Sequence, residues 1–291
     1  NLSVQSHGGD IVQSTAVGSS LQVTGTSNLD AGTGNVTLSN TPNLFVGAIS
    51  MQAHNVDLAG THGLILGNST VTGALNVTAA TGNVTQIAPL TVAGITQITA
   101  TQGDVVLGEA NSFAQTLGLN AVNATVHSTS ALTLASSTLT GNFDVKVDTG
   151  DVTQTGPLYV TGTSSVDAQA GKITLTDAGN SFGDRVSIHT PQALALTASG
   201  ALRMGEVNVG LTTNLQSHGI LDMGTESVYT GKLKVSSGGF DIIQSGPLKA
   251  GADEDFDAGS AKIDLFNPKN LWLGALYFKG GIIMINHPQL L

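Results

Sequence analysis

Residues 150–158 read Gly-Asp-Val-Thr-Gln-Thr-Gly-Pro-Leu, and this phrase returns along the chain. Residues 82–90 read Gly-Asn-Val-Thr-Gln-Ile-Ala-Pro-Leu, residues 240–248 read Phe-Asp-Ile-Ile-Gln-Ser-Gly-Pro-Leu, and residues 9–14 read Gly-Asp-Ile-Val-Gln-Ser. The glutamines of the four copies, Gln13, Gln86, Gln154 and Gln244, are 73, 68 and 90 residues apart. A second marker follows each copy, an asparagine with an aromatic residue two places on: Asn43 and Phe45, Asn111 and Phe113, Asn180 and Phe182, Asn270 and Trp272. Those asparagines are 68, 69 and 90 residues apart, so two markers hold nearly one register and define long repeats. The repeats run over approximately 9–81, 82–149, 150–238 and 239–291 of a single segment, 1–291.

A shorter period lies inside them. Gly82 and Gly103 are 21 residues apart, as are Gly150 and Gly171, and each precedes a fresh Val or Ile. Dividing 68 into three steps and 90 into four gives turns of about 22 residues, about twelve in all. Within a turn, apolar and hydroxyl-bearing residues alternate, as in Ile173-Thr-Leu-Thr176 and Leu233-Lys-Val-Ser236. That is the pattern of half-buried strands, and no long segment carries a helical period. Gly, Asn, Asp and Ser bound the strands and supply the corners. The expected fold is all-β, a parallel β-helix (β-solenoid), a rod roughly 58 Å long at ~4.8 Å per turn. The four aromatics are expected to share one side and fill one wide corner. Extra residues at Ala16–Ser19 and the stretch Asn208–Gly219 read as protruding loops. The apolar tail Gly280–Leu291 reads as an edge that further chain would cover, and the start at Asn1 as a sign of a longer parent chain.

Composition removes several classes of function. Ten Lys and Arg stand against twenty Asp and Glu, a formal net charge of -10, and the first basic residue is Lys146. Binding to nucleic-acid phosphates draws on clustered cations, so no nucleic-acid partner is expected. With no cysteine there is no disulfide framework, thiolate metal site or cysteine nucleophile. No apolar run reaches the ~18 residues of a membrane span, so direct membrane insertion is not expected.

The phrases GDVTQTGPL, GKITLTDAGNSF and TGTSSVDAQAG resemble the repeats of large secreted filamentous-haemagglutinin-like adhesins of Gram-negative bacteria, including two-partner-secretion exoproteins and related autotransporters. The resemblance covers most of residues 9–279 and rests on degenerate repeats. It implies a right-handed parallel β-helix, export through an outer-membrane pore, and a role in adhesion, aggregation or presentation of a distal tip. No residue-level binding site comes with it, because those repeats are a scaffold.

Candidate chemistry is sparse. Asp253, Asp255 and Asp257 form the densest acidic run, and hard cations such as calcium take several oxygen ligands. Asp257 also occupies a turn position shared with Asp30, Asp148 and Asp167, which reads as a solvated corner. A carbohydrate-active enzyme would need paired carboxylates or a base with charge neutralisation. Stacked turns could bring Asp144, Asp167 and His189 to one side, with Arg185 and Arg203 the only arginines, yet each has a structural explanation. The seven histidines contain no metal-site spacing. Six glycosylation sequons (Asn1, Asn35, Asn68, Asn76, Asn83 and Asn123) compare with roughly four expected by chance in so Ser/Thr-rich a chain, and point only to surface exposure.

The sequence therefore reads as a non-catalytic, rod-like segment of a secreted or surface-exposed, outer-membrane-associated bacterial adhesin, with no resident cofactor. Its expected partners are other segments of the same long chain and surface carbohydrate or protein on host or bacterial cells. A carbohydrate-active β-helix enzyme and a calcium-stabilised structural filament are the alternatives.

Overall fold

The computed structural model describes residues 1–16 and 18–287, and every regular element among them is a β-strand. Within each of its two compact units the strands pair in parallel and stack as turns of a β-solenoid, about 13 turns in all at ~21 residues per turn, where about twelve of about 22 were expected. Turn length is uneven, from 17 residues between Thr116 and Thr133 to 25 between Ile11 and Val36. The long turn holds the Ala16–Ser19 insertion, which lies in a loop between strands Ile11–Val12 and Gln22–Val23; within it Val17 falls outside the described residues. The end of the Gly280–Leu291 tail, residues 288–291, also falls outside them.

The chain forms two compact units, Asn1–Gly141 and Asn142–Leu291. In each, the backbone alternates between two sheets. In the first unit Ser27–Asp30, Ile49–Ala53, Leu64–Val71 and Val105–Phe113 belong to one sheet, and Val36–Leu38, Val56–Gly60, Leu75–Ala79 and Thr96–Ala100 to the other. Alternate residues point inward, so each register column becomes an aliphatic ladder. Val36, Val56 and Leu75 stack in consecutive turns at 0–2% exposure. The second unit repeats the device with Ile173, Leu194, Thr213 and Leu233. Each fully buried aliphatic side chain contributes about 1.5–3 kcal/mol, and the ladders are the main source of cohesion.

Corners stack as closely as the strands. Gly150 has a φ of 86°, the left-handed region that side chains disfavour, and a methyl group at Gly171 one turn later would overlap its carbonyl. Gly82 and Gly103 repeat this arrangement in the first unit, which explains the 21-residue glycine spacing.

Two expectations are corrected. Ile11, Val36, Val56 and Leu75 mark three whole turns on one sheet of the first unit, after which the chain crosses to Val84 on the other. The 73 residues from Gln13 to Gln86 thus hold three and a half turns. In the second unit Val152, Ile173, Leu194, Thr213 and Leu233 mark four turns and Ile242 lies opposite, so the 90 residues from Gln154 to Gln244 hold four and a half, where four were expected. The aromatic markers accordingly do not share one side. Phe182 lies on one sheet of its unit and Trp272 on the other; in the first unit Phe113 ends a strand of the large sheet, whereas Phe45 pairs with Val23 in a small separate one. Their local setting is nevertheless the same, 2–7% exposed and one turn beyond Val23, Val92, Val160 or Ala250. The second correction concerns Asn208–Gly219, which is not a protruding loop: it spans the end of strand Leu202–Val209 and all of Thr213–Ser217.

Candidate functional site

The two sequence markers turn out to be partners. In the second unit Gln154 Nε2 donates to Asn180 Oδ1 at 2.8 Å, and Asn180 Nδ2 donates back to Gln154 Oε1 at 2.9 Å. Asn180 Oδ1 also accepts the Leu158 amide, and its Nδ2 reaches the carbonyls of Leu175 and of Thr197 in the following turn. Gln244 and Asn270 repeat the pair at 2.9 Å in both directions, with the Leu248 amide and the Leu265 carbonyl. In the first unit Gln13 clamps Asn43 and Gln86 clamps Asn111 in the same way. All four asparagines are 0–2% exposed. A buried carboxamide with both its donors and acceptor satisfied ties three turns together, and only Asn supplies that set at that length.

A second polar device lines the corners. Asp10 Oδ1 accepts the Asn35 amide, Asn35 Oδ1 accepts the Asn55 amide, and Asn55 Oδ1 accepts the Ala74 amide, each one turn further on. Asp151 and Asp241 do the same for the Lys172 and Lys262 amides.

The acidic run divides its work similarly. Asp253 Oδ1 accepts the Ala275 amide, exposed Asp255 stands between Lys234 and Tyr277 in register, and Asp257 caps the Gly259 amide at 2.8 Å while meeting Lys279 Nζ at 3.0 Å. The Gly259 amide, and then Lys279, hold the Asp257 carboxyl below the usual range. Asp30 caps Gly32 in the same manner, the corner role read from the sequence, whereas Asp167, grouped with them there, lies within the strand Ser164–Ala168. The three aspartates of the run do not converge, and among the described residues no three His, Asp or Glu side chains gather as a metal site.

Asp167 and His189 are register neighbours, and they share a pocket of about 250 Å³ with Ser165, Ser187, Glu206 and Asn208. Asp144 faces Ser165 one turn earlier and lies outside it. Arg185 donates to the Met204 carbonyl and stands 3.7 Å from buried Asp222. A larger groove of about 730 Å³ crosses the strands of the second unit, lined by Ala195, Asn214, Lys232, Lys234, Asp253 and Tyr277 among others.

A family model described as repeats of unknown function (DUF5649) matches residues 1–52, 53–120, 121–189 and 211–278, most of the chain. The chain belongs to this repeat family. No curated protein and no solved structure matches it. Each DUF5649 repeat contains one Gln–Asn clamp and its aromatic residue. The unmatched interval 190–210 is one turn long and accounts for the wider spacing of the last two clamps.

Sequence reasoning missed two buried acids in these repeats. Glu254 occupies the inward ladder between Leu233 and Leu276, is 0% exposed, and has no side-chain partner for its carboxylate, only the Ala252 and Leu233 backbone beside it. Burial pushes its carboxyl up to about 7. Strand parity carried the signal, because Phe256 two places on must point inward. Asp222, 5% exposed, caps Gly224 and accepts the Ser245 hydroxyl.

Proposed function

We propose that this β-solenoid is a non-catalytic segment of a large secreted or surface-exposed bacterial adhesin, holding or forming part of an attachment surface. The observation that carries the reading is the Gln–Asn clamp, one per family repeat, with the corner Asx ladder beside it. Polar side chains that would build a catalytic centre in an enzyme here join turn to turn, which suits a stiff structural element. The resemblance of GDVTQTGPL and GKITLTDAGNSF to filamentous-haemagglutinin-like repeats supplies the adhesin part, and with it export to the cell surface. The reading assigns the chain no resident cofactor.

The test is surface labelling. Antibodies raised against the purified chain should stain intact cells that produce it, and protease added outside should remove the signal. Signal confined to the cytosol of lysed cells would contradict the proposal.

A further inference from the structure

Two pockets of about 250 Å³ occupy equivalent places in the two units, and the same local event builds both. In the first unit Ile49 pairs with Leu66 and Met51 with Ser69, so the strand Leu64–Val71 carries one residue more than its partner. In the second, Val186 pairs with Met204 and Ile188 with Val207, giving Leu202–Val209 the same extra residue. Each bulge places a glycine against a serine: a methyl group at Gly67 would overlap Ser50 Oγ, and one at Gly205 would overlap Ser187 Oγ. A bulge bends its strand and re-aims the neighbouring side chains, and such features commonly adjoin functional sites.

The side chains so aimed match in position and in chemistry. The first pocket is lined by Asn28, Asp30, Ser50, Gln52, Asn68 and Thr70. The second is lined by Ser165, Asp167, Ser187, His189, Glu206 and Asn208. Both present a serine at the centre, a longer polar group beside it, and a polar residue on the bulge; the aspartates on the first strand match in position only, since Asp30 is held by the Gly32 amide and Gln5. Asp167 Oδ1 is buried at the floor of the second pocket and has no hydrogen-bond partner, whereas the exposed groups around it, His189, Glu206 and Asn208, face the opening. Only the second pocket has a histidine and two carboxylates, so acid–base chemistry is not what the two share. Hydrogen-bonding capacity is. No lysine or arginine lines either pocket, and the carboxylates disfavour an anion. At about 250 Å³ each pocket lies just below the range of ordinary small-molecule sites, which suits a single small ligand and not a longer segment.

We infer that the two bulge pockets are equivalent subsites for a neutral sugar residue, one in each unit. A sugar offers a ring of hydroxyls that both donate and accept, which suits carboxylate, carboxamide and hydroxyl groups pointing into one small depression. With no aromatic platform, each site alone is weak, and useful affinity requires a glycan carrying many such residues.

The inference relies on the attachment reading only for its biological role, and its test is made on the purified full chain. Saturation-transfer NMR would use the methyl glycosides of glucose, galactose, mannose and N-acetylglucosamine, with methyl glucuronide for comparison. At least one neutral glycoside should receive saturation, and the glucuronide much less. The paired substitutions Gln52→Ala with Asn68→Ala, and His189→Ala with Glu206→Ala, alter exposed side chains outside the core. Each pair should remove about half of the signal and the quadruple variant all of it, with the melting temperature unchanged. Absence of transfer from every neutral glycoside, equal binding of the glucuronide, or a full signal from the folded quadruple variant would overturn it. Sugar binding by a chain absent from the cell surface would sink the attachment reading alone.

Discussion

Gln154 and Asn180, 26 residues apart in sequence, hold each other by two antiparallel amide hydrogen bonds of 2.8 and 2.9 Å inside a closed corner of the second unit. The pair is worth more than its own two bonds, because Asn180 also satisfies the Leu158 amide and two carbonyls that no water reaches. Removing it strands several buried backbone groups at once.

Asn180→Ala is therefore expected to destabilise the chain by about 2–4 kcal/mol. Asn180→Asp should cost at least as much, since it turns an acceptor toward the Leu175 and Thr197 carbonyls. Gln154→Ala should cost less, and the double substitution less than the sum, because the two residues share an interaction. Chemical denaturation of the four proteins checks this; additive effects would contradict the clamp.

Glu254 makes stability depend on pH in a direction opposite to that of a salt-bridged acid. Its carboxyl is raised by burial from 4.5 to about 7, so the folded chain binds the proton more tightly than the unfolded one. The contribution is complete below about pH 4.5, is lost as pH rises through about 7, and is on the order of 3 kcal/mol. Glu254→Gln should flatten this slope and raise the melting temperature at pH 8, and Glu254→Leu, which restores the ladder of Leu233 and Leu276, should do so more strongly. Melting curves of the wild type and both variants between pH 4 and pH 8 decide it, and an unchanged slope in the variants would count against the assignment.

Glycines are expected to respond according to what stands above them. Gly171→Ala pushes a methyl group into the Gly150 carbonyl and Gly150→Ala forces a side chain to a φ of 86°, so each should lose about 1–3 kcal/mol. At Gly200 nothing lies within 4 Å and φ is ordinary, so Gly200→Ala should be neutral or gain up to about 1 kcal/mol. Equal losses at all three positions would show that corner stacking is not the cause.

Much of this was legible in the sequence, and the reasons are physical. Strand alternation, glycine corners and the 21-residue step each follow from contacts between adjacent turns, and every turn repeats them. Gln154 and Asn180 stood out as markers, but two recurring residues 26 positions apart do not announce that they touch. The half turn in each long repeat was hidden for another reason: both sheets use the same alternation, and turns of 17 to 25 residues blur any division of 68 or 90 into whole steps. Glu254 is hidden in the sequence by its place in an acidic run, and only strand parity separates it: in the strand Glu254–Asp257, residues 254 and 256 face the core and 255 faces water. The bulge pockets could not be read, since one inserted residue in a strand looks like any other variation in turn length.

The stacking of successive turns in register is the claim on which the rest depends, and the natural absence of cysteine permits a clean test. Lys234 and Asp255 are register partners on adjacent turns, both pointing outward. Neighbouring strands lie ~4.8 Å apart, within disulfide reach. A chain carrying Lys234→Cys and Asp255→Cys should close an intramolecular disulfide nearly completely on mild oxidation, while Lys234→Cys with Asp257→Cys, one pleat out of register, should not. Failure of the first pair to close, or equal closure of both, would contradict the solenoid.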